Sequence, residues 1–452
     1  MEEREDQPEQ PDSSQKPTPE APVVMDEDDP TFLMRTEVRK GERPGDDRVR
    51  WELPQRSAFR RVSVGLLEAT KVTQLPRSGL ERLKRLLIGA PLATYQAEQE
   101  RLTKFKALAV LSSDAISSVA YATEAILLSL VAAGSGNLWV TLPIALAIVT
   151  LLAIVALSYR QTIPAYPNGG GSYIVAKDNL GTYAGLIAAA SLLIDYVLTV
   201  SVSIASGVQN LASLLPALGP YVVLIDVSLV VIVTLVNLRG VRESGSIFSI
   251  PTYLFIGSAL LLILVGIFKA FLVHHDPFIG QFHYVAATEP LALFLILKSF
   301  AAGCSAMTGV EAISNGIPAF KKPETRNAAT TLTWMAVILG TLFIGITVLA
   351  LSYHVEANVQ GSPTVISQIA SQVFNGPLYF MYPVFQLSTL LILTLAANTS
   401  YSDFPRLSSL LARDKFIPSQ FAFRGDRLAF SIGIIFLAIL AGSLLIVFKG
   451  NT

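Results

Sequence analysis

The sequence predicts an all-α protein that crosses a membrane several times. Of its 452 residues, 52% are hydrophobic and only 15% are charged. Apolar runs of about 20 residues recur along the chain, and each is long enough to cross roughly 30 Å of hydrocarbon. The first such run follows about a hundred polar residues, which contain no apolar core of the signal-peptide type. These three observations indicate a polytopic membrane protein without a cleaved signal.

Two polar segments precede the first apolar run. Residues 1–55 are rich in Glu, Asp, Pro, Gln and Ser and show no apolar periodicity, so we expect a disordered acidic extension. Residues 56–106 form a basic juxtamembrane segment. Within it, "GLERLKRLLIGAPL" is expected to form either a helix lying on the membrane surface or an ordinary solvated helix. Residues 107–452 are then the transmembrane domain.

Nine spans are expected in that domain. Taken in order as spans 1 to 9, they cover residues 107–133, 138–158, 183–212, 220–238, 247–270, 290–318, 331–353, 377–397 and 428–448. Alternate loops carry Lys and Arg residues, and the intervening loops, such as "LLPALGP", carry none. By the positive-inside rule, the N-terminus and the basic loops are cytoplasmic in a plasma (inner) membrane protein.

Spans 1 and 6 each contain a run of small and polar residues near their middle, "SSDAISS" and "AAGCSAMTGVEAISNG". Secondary transporters built as a five-plus-five inverted repeat break the first helix of each repeat at this depth. Spans 1 to 5 would be the first repeat and spans 6 to 9 most of the second. The second repeat is therefore expected to be truncated, and the chain to be incomplete at its C-terminus.

Mid-membrane polar residues mark a candidate site. A charge at the centre of a spanning helix costs roughly 2.5–3.5 kcal/mol, so such a residue normally faces a cavity and has a function. Asp114 lies in the interruption of span 1, and Tyr121 is seven residues on, on the same helix face. In span 3, Asp195, Thr199 and Ser203 follow at i, i+4 and i+8 and form one stripe.

Span 6 adds Thr308 and Glu311, at i and i+3 in its interruption. We expect these seven residues to line one cavity. For any single hydroxyl, the alternative is a bond to its own backbone carbonyl or a contact between helices. Glu124 and Asp226 lie nearer span ends, where a carboxylate either reaches water or belongs to the site.

The fixed negative charge narrows the substrate class. A free amino acid brings its own carboxylate, which broken-helix transporters hold with bare backbone amides and helix N-termini. Asp114 stands where that carboxylate would lie. Repulsion there favours a cation, and a set of oxygens without His or Cys favours an alkali cation over a transition metal. The oxygens alone do not separate potassium from sodium.

Several function classes are disfavoured. The sequence contains no Ser/His/Asp nucleophile set, no nucleotide-binding motif and no nucleic-acid-binding surface. We therefore expect neither an enzyme nor a nucleic-acid-binding protein, no cofactor, and no metal beyond a transported alkali cation. The single cysteine, Cys304, excludes an intrachain disulfide. A receptor or scaffold that transports nothing would have no need of three mid-membrane carboxylates.

From about residue 80 to its end, the sequence resembles the amino acid-polyamine-organocation (APC) superfamily and, within it, the KimA-type potassium importers. The resemblance rests on long strings in the same order, among them "KFKALAVLSSDAISSVAYATEAIL", "SYRQTIPAYPNGGGSYIVAKDNLG", "LLIDYVLTVSVSIASG", "LKSFAAGCSAMTGVEAISNGIPAFKKPETRNAA" and "AANTSYSDFPRLSSLLARDKFIP". It implies a LeuT-like fold, proton-coupled potassium uptake and, in the full-length form, a homodimer in the lipid bilayer.

The same resemblance assigns roles to the candidate residues. Asp195 and Glu311 match acidic positions tied to the site or to proton coupling, and five others match potassium-site positions: Asp114, Tyr121, Thr199, Ser203 and Thr308. Many members of the superfamily are permeases for amino acids or polyamines, which is the alternative function. Asp114 disfavours free amino acids but suits a polyamine.

Overall fold

The computed structural model describes a four-stranded N-terminal part and a larger helical part. The described residues are 35–40, 47–52, 59–63, 66–69, 101–169, 171–239, 245–273, 287–358, 361–423 and 430–450. The chain divides into two units, residues 1–79 and residues 80–452. The surface helix predicted from "GLERLKRLLIGAPL" lies outside the described residues.

Two antiparallel hairpins make up the described part of the first unit. Strand β1 (Arg35–Lys40) pairs with β2 (Asp47–Glu52), and β3 (Phe59–Ser63) pairs with β4 (Leu66–Ala69). Thr, Val and Trp alternate with charged residues in the first pair, a composition that favours strands. Strands β1 and β2 lie within residues 1–55, for which the sequence predicts a disordered acidic extension.

The described part of the second unit is helical and confirms the all-α class of the transmembrane domain. Its α-helices are α1 (Lys104–Leu111), α2 (Ser113–Ser117), α3 (Val119–Leu130), α4 (Thr141–Ala165), α5 (Gly171–Leu180), α6 (Thr182–Leu214), α7 (Val222–Leu238), α8 (Gly245–Ile267), α9 (Leu293–Gly303), α10 (Ala312–Asn315), α11 (Glu324–Ser352), α12 (Val365–Val373), α13 (Met381–Arg413) and α14 (Ser431–Val447). Short 3-10 helices join several of them, and a π-helical turn, Phe268–Val273, follows α8.

Each of the nine predicted spans coincides with helical structure. In the described residues, seven helical segments are long and apolar enough to cross a membrane. The other two spans contain the shorter apolar helices Val119–Ala133 and Ser431–Val447. Span 1 consists of α1, α2 and α3, and span 6 consists of α9, an irregular segment and α10. The prediction of a multi-pass membrane protein is confirmed, and both interruptions lie where the sequence predicted them.

Span 8 is longer than predicted. The sequence placed its end at residue 397, whereas α13 continues to Arg413. Hydropathy falls across "NTSYSD", and this fall suggested a loop. The helix persists because Phe404, Leu407 and Leu411 recur at helical spacing and are buried in a core shared with α6 and α14.

Helices α6 and α13 pack closely at the centre of the second unit. Gly207 of α6 faces Leu390 and Leu393 of α13, and a Cβ added at Gly207 would lie 3.1 Å from a Leu390 methyl carbon. The absence of a side chain at this glycine lets the two helices approach. The hydroxyls of Ser113 in α2 and Thr399 in α13 are 3.2 Å apart. The interruption of span 1 therefore lies against this central pair.

An ion pair attaches α5 to the end of α13. The Lys177 ammonium lies 2.6 Å from Oδ2 of Asp414, and the Tyr173 hydroxyl donates a hydrogen bond to the same oxygen. These two hydrogen bonds, that of Lys177 foremost, lower the pKa of Asp414 from its ordinary value. The pair fixes the chain segment that follows span 2 beside the end of span 8.

Asp226 in α7 is fully buried, so it does not reach water as one reading of the sequence allowed. Its relative exposure is 0%, and neither of its carboxylate oxygens has a hydrogen-bond partner. The carboxylate packs against Gly450, just beyond α14, where a Cβ would lie 2.5 Å from Oδ2. The side-chain amide of Gln209 donates to the Gly450 carbonyl at 2.7 Å. Helices α6 and α7 thus enclose Asp226 together with the end of α14.

Candidate functional site

The interruption of span 1 places a carboxylate inside the protein. Helix α2, only five residues long, carries Asp114, which is 2% exposed. The flanking serines bond to carbonyl groups of their own helix: Ser117 Oγ donates to the Asp114 carbonyl at 2.8 Å, and Ser118 Oγ donates to that of Ala115 at 2.6 Å. The serines therefore satisfy backbone carbonyls where the helix is irregular. Oδ1 of Asp114 has no hydrogen-bond partner.

The interruption of span 6 is more severe. After α9, the chain forms the 3-10 turn Cys304–Met307 and becomes extended at Thr308, with ψ 148°. Gly309 follows with φ +75°, a conformation that glycine adopts at low cost. The helix resumes only at Ala312, the first residue of α10. Backbone groups between Thr308 and Glu311 are thus released from regular helical bonding.

The two interruptions meet. Ser118 Oγ also lies 2.9 Å from the carbonyl oxygen of Ala306 in span 6, so its one hydrogen is shared between this carbonyl and that of Ala115. Gly309 lies directly against Asp114: a Cβ built on this glycine would be 2.6 Å from both Cγ and Oδ2 of the carboxylate. Only a residue without a side chain fits here, so Gly309 lets the irregular backbone of span 6 approach the Asp114 carboxylate.

The stripe predicted on span 3 faces the same place. Thr199 and Ser203 are buried, and the Thr199 hydroxyl has no hydrogen-bond partner. The Tyr121 phenol lies close to the hydroxyls of Ser203 and Thr308. Asp195, at the other end of the stripe, is half-buried. Buried oxygens without partners are rare in proteins, and such a group calls for an explanation such as a bound ion.

Glu311 completes the predicted set. It is buried, its Oε1 has no hydrogen-bond partner, and its carboxyl is hydrogen-bonded to the phenol of Tyr196. Asp195 and Glu311 are both close enough to Asp114 to act on it electrostatically. The structure thus brings together six of the seven predicted residues, Asp114, Tyr121, Asp195, Ser203, Thr308 and Glu311, and buries the seventh, Thr199, between Asp195 and Ser203 on α6.

Sequence reasoning missed Asp403. This residue of α13 is buried and is an electrostatic neighbour of both Glu311 and Asp114. It was overlooked because residues beyond 397 were predicted to be a loop. Extending the helical period of span 8 past Thr399 would have placed Asp403 one turn further along the same helix face.

Asp403 and Tyr196 open onto a cavity of about 340 Å³. The cavity lies between α5, α6 and α13, beside the end of span 6. Its polar lining residues are Asn168, Ser172, Tyr173, Tyr196, Asn315, Asp403, Arg406, Ser409 and Arg413. Tyr196 therefore contacts Glu311 and also lines a cavity on the side of the basic loops.

Residues 102–451 match the sequence profile of the family described as "Amino acid permease". The chain belongs to the amino acid permease family. That match covers the whole described part of the helical unit except residue 101, so it includes both interruptions and the span 3 stripe. Membership agrees with the superfamily predicted from the sequence and with a protein that is not an enzyme.

Two relatives of this member of the family are named as transporters of cations. The chain is 51% identical over 373 residues to Potassium transporter KimA of Bacillus subtilis (strain 168), a match that covers 82% of this chain and 60% of the relative. It is 24% identical over 287 residues to Low-affinity putrescine importer PlaP of Escherichia coli (strain K12), covering 60% of this chain and 59% of the relative. The chain thus spans about 60% of the length of these relatives. The resemblance to the KimA type is confirmed.

Proposed function

We propose that the protein is a secondary active transporter that couples potassium uptake to the proton gradient by alternating access. One observation carries the proposal: an unpartnered oxygen of Asp114 lies buried at the meeting point of the two interrupted spans, and an unpartnered hydroxyl of Thr199 lies buried on the span 3 stripe. Broken-helix transporters place substrate and coupling-ion sites at such a point. A dehydrated cation bound there would supply the missing partners of these oxygens.

The charge of the site supports a cation as the substrate. Asp114 has three acidic neighbours, Asp195, Glu311 and Asp403. Hydroxyl and carboxylate oxygens are the ligands that hard cations prefer. The relative named as a potassium transporter supports potassium among the alkali cations, because its 51% identity extends over the segments that build the site. In this proposal, potassium contacts Asp114, Tyr121, Thr199, Ser203 and Thr308.

Glu311 is the proposed proton carrier. Its buried carboxyl has an unpartnered oxygen and lies near Asp195 and Asp403. Burying several carboxylates near one another favours the neutral form of at least one of them. A proton on Glu311 would offset the negative charge of the site when potassium is absent. Asp195 either shares that proton or contributes fixed charge.

We also propose the orientation and setting of the transporter. The basic loops, and with them the N-terminus and the cavity beside Asp403, face the cytoplasm, because Lys and Arg are retained on that side. The membrane is then the plasma membrane. A homodimer is the proposed assembly of the full-length protein.

The test is rubidium uptake by proteoliposomes that contain the protein. Rubidium substitutes for potassium, and an acidic exterior supplies the proton gradient. We expect accumulation above the equilibrium level only when the gradient is imposed, together with acidification of the interior. Accumulation that is insensitive to the gradient would contradict proton coupling, and the absence of any specific flux would contradict potassium transport.

A polyamine is the second candidate substrate. The 24% identity to a relative named as a putrescine importer supports it, and a diamine also suits a site lined by carboxylates. Competition separates the two candidates. With potassium as the substrate, excess putrescine should leave rubidium uptake unchanged. Strong competition by putrescine, together with uptake of labelled putrescine, would favour the polyamine.

Gly309→Ala should weaken cation binding strongly. The new methyl group would collide with the Asp114 carboxylate at 2.6 Å and would strain a backbone at φ +75°. Overpacking of this kind costs about 1–3 kcal/mol, so the apparent affinity for rubidium should fall about tenfold or more. The matched control is Gly181→Ala, which also has a positive φ (+94°) but no neighbouring atom within 4 Å of its Cβ. Equal affinities for the two variants would contradict the assigned contact.

Ser203→Ala tests the stripe on span 3. The Ser203 hydroxyl is buried beside the Tyr121 phenol of the proposed site, whereas Ser201 on the same helix bonds to the carbonyls of Val197 at 3.0 Å and Ala441 at 3.4 Å. Ser203→Ala removes a proposed ligand and should raise the concentration of rubidium at half-maximal uptake several-fold. Ser201→Ala removes the same atom from a structural contact and should leave that concentration unchanged. If both variants behave alike in uptake titrations, the stripe is not part of the site.

A further inference from the structure

The surroundings of Glu311 suggest where its proton goes. Glu311 faces the proposed cation site, where Asp114 and Asp195 lie. Its carboxyl is also hydrogen-bonded to Tyr196, and Asp403 is an electrostatic neighbour of both Glu311 and Tyr196. Tyr196 and Asp403 both line the cavity of about 340 Å³ that we propose faces the cytoplasm. The path from the buried site to that cavity therefore passes two groups able to exchange protons.

Asp403 differs from Glu311 in its charged neighbours. Arg406, one turn further along α13, acts on the Asp403 carboxylate, and its guanidinium donates to the Asn315 carbonyl at 3.2 Å. Arg413 lines the same cavity. The other groups that act with Asp403 are Tyr196 from α6, Glu311 from span 6 and Asp114 from span 1. The charges that act on Glu311 are those of other carboxylates.

We propose that Asp403 accepts the proton that Glu311 releases and delivers it to water in the cytoplasmic cavity. This inference deepens the proposed function and rests on it. The Glu311 O–H bond breaks as its proton moves to the Tyr196 oxygen, while the Tyr196 O–H bond breaks and a new O–H bond forms on Asp403. The phenol ends unchanged, Glu311 becomes a carboxylate, and Asp403 then gives its proton to water.

The direction of transfer follows from electrostatics. The Arg406 guanidinium lies one turn from Asp403 on α13 and lines the same cavity, so it can balance the negative charge that Asp403 carries after it has given its proton to water. Among the described residues, no cation acts on Glu311, which once ionised adds a negative charge next to the proposed cation site. Potassium in that site stabilises ionised Glu311, and its departure favours reprotonation. A separate release group lets the proton leave without passing through the occupied cation site.

Asp403→Asn is the variant that tests the relay. We compare two fluxes in proteoliposomes: rubidium–rubidium exchange at equal pH on both sides, and rubidium accumulation driven by an acidic exterior. Exchange needs no proton release and should stay within about twofold of wild type. Accumulation should fall about tenfold or more, because a proton-transfer group typically contributes a factor of 10² or more. Its dependence on internal pH, measured with a trapped dye, should be lost.

Two companion variants keep the test specific. Asp403→Glu retains a carboxyl group and should restore most of the accumulation and its dependence on internal pH. Asp414→Asn removes a carboxylate just beyond the end of the same helix, from the ion pair with Lys177, and should leave the ratio of the two fluxes unchanged. Thermal unfolding of each purified variant monitors folding independently of transport.

The outcomes separate the relay from the proposed function. Wild-type accumulation and internal-pH dependence in Asp403→Asn would overturn the relay and leave proton-coupled transport intact. An equal loss of both fluxes in a variant that unfolds at the wild-type temperature would also overturn it, because Asp403 would then act in cation movement. If the wild-type protein itself shows no gradient-driven accumulation, the proposed function fails first.

Discussion

Asp114→Asn is expected to abolish high-affinity rubidium uptake while the protein remains folded. The change keeps the shape of the side chain and removes one negative charge from a buried position that is 2% exposed. Two unit charges about 4 Å apart interact by about 4 kcal/mol at an effective dielectric constant near 20. Loss of that interaction should raise the dissociation constant for the cation about a thousandfold. Uptake titrations and rubidium-dependent thermal stabilisation measure the change.

Glu124→Gln is the matched control for this prediction. Glu124 lies in the same span and is also buried, at 5% exposure, but its carboxyl is hydrogen-bonded to the Val365 backbone, away from the interruptions. The amide can accept the same bond, so uptake affinity should stay near wild type. A well-expressed Asp114→Asn variant with near wild-type affinity would show that this carboxylate does not hold the cation.

Glu311→Gln should separate cation exchange from proton-driven accumulation. The amide mimics the protonated carboxyl but neither gains nor loses a proton in the transport cycle. We therefore expect rubidium exchange across the membrane to survive and accumulation driven by a proton gradient to be lost, by a factor of 10² or more. Both fluxes are measured on the same proteoliposomes, together with internal acidification.

The alternative outcome is informative. If Glu311→Gln still concentrates rubidium in response to the gradient, the coupling group lies elsewhere, and Asp195 is the next candidate because it shares the span 3 stripe.

A double variant links this prediction to the proposed relay. Because Glu311 and Asp403 would act in series, adding Asp403→Asn to Glu311→Gln should reduce accumulation no further, so that the two effects are not additive.

Much of the site could be predicted because its residues violate the rules for a membrane-spanning helix. Carboxylates and clustered serines are costly in hydrocarbon, so Asp114 in span 1 and Glu311 in span 6 were conspicuous against their apolar neighbours. The helical period then linked Asp195 to Thr199 and Ser203 without knowledge of the fold. The contact between Gly309 and Asp114 was not predictable, since it depends on how two distant segments pack.

Two features, the role of Asp403 and the burial of Asp226, could not be predicted because they depend on contacts between distant parts of the chain. Asp403 lies where a membrane helix continues beyond its apolar part, and hydropathy does not distinguish such an extension from a loop. The burial of Asp226 depends on Gly450, which is far along the chain, so no local pattern encodes it.

The burial of Asp226 has a consequence for biogenesis. Span 4 is synthesised and offered to the insertion machinery long before α14, whose end packs over this carboxylate. Asp226 must therefore partition into the bilayer before that cover exists. Each Leu, Ile or Val lowers the free energy of inserting a helix into the membrane by about 0.3–0.6 kcal/mol, whereas an aspartate at the helix centre raises it by roughly 2.5–3.5 kcal/mol. The Leu, Ile and Val residues that dominate "VVLIDVSLVVIVTLVNL", with the acid placed near one end, allow span 4 to insert unaided.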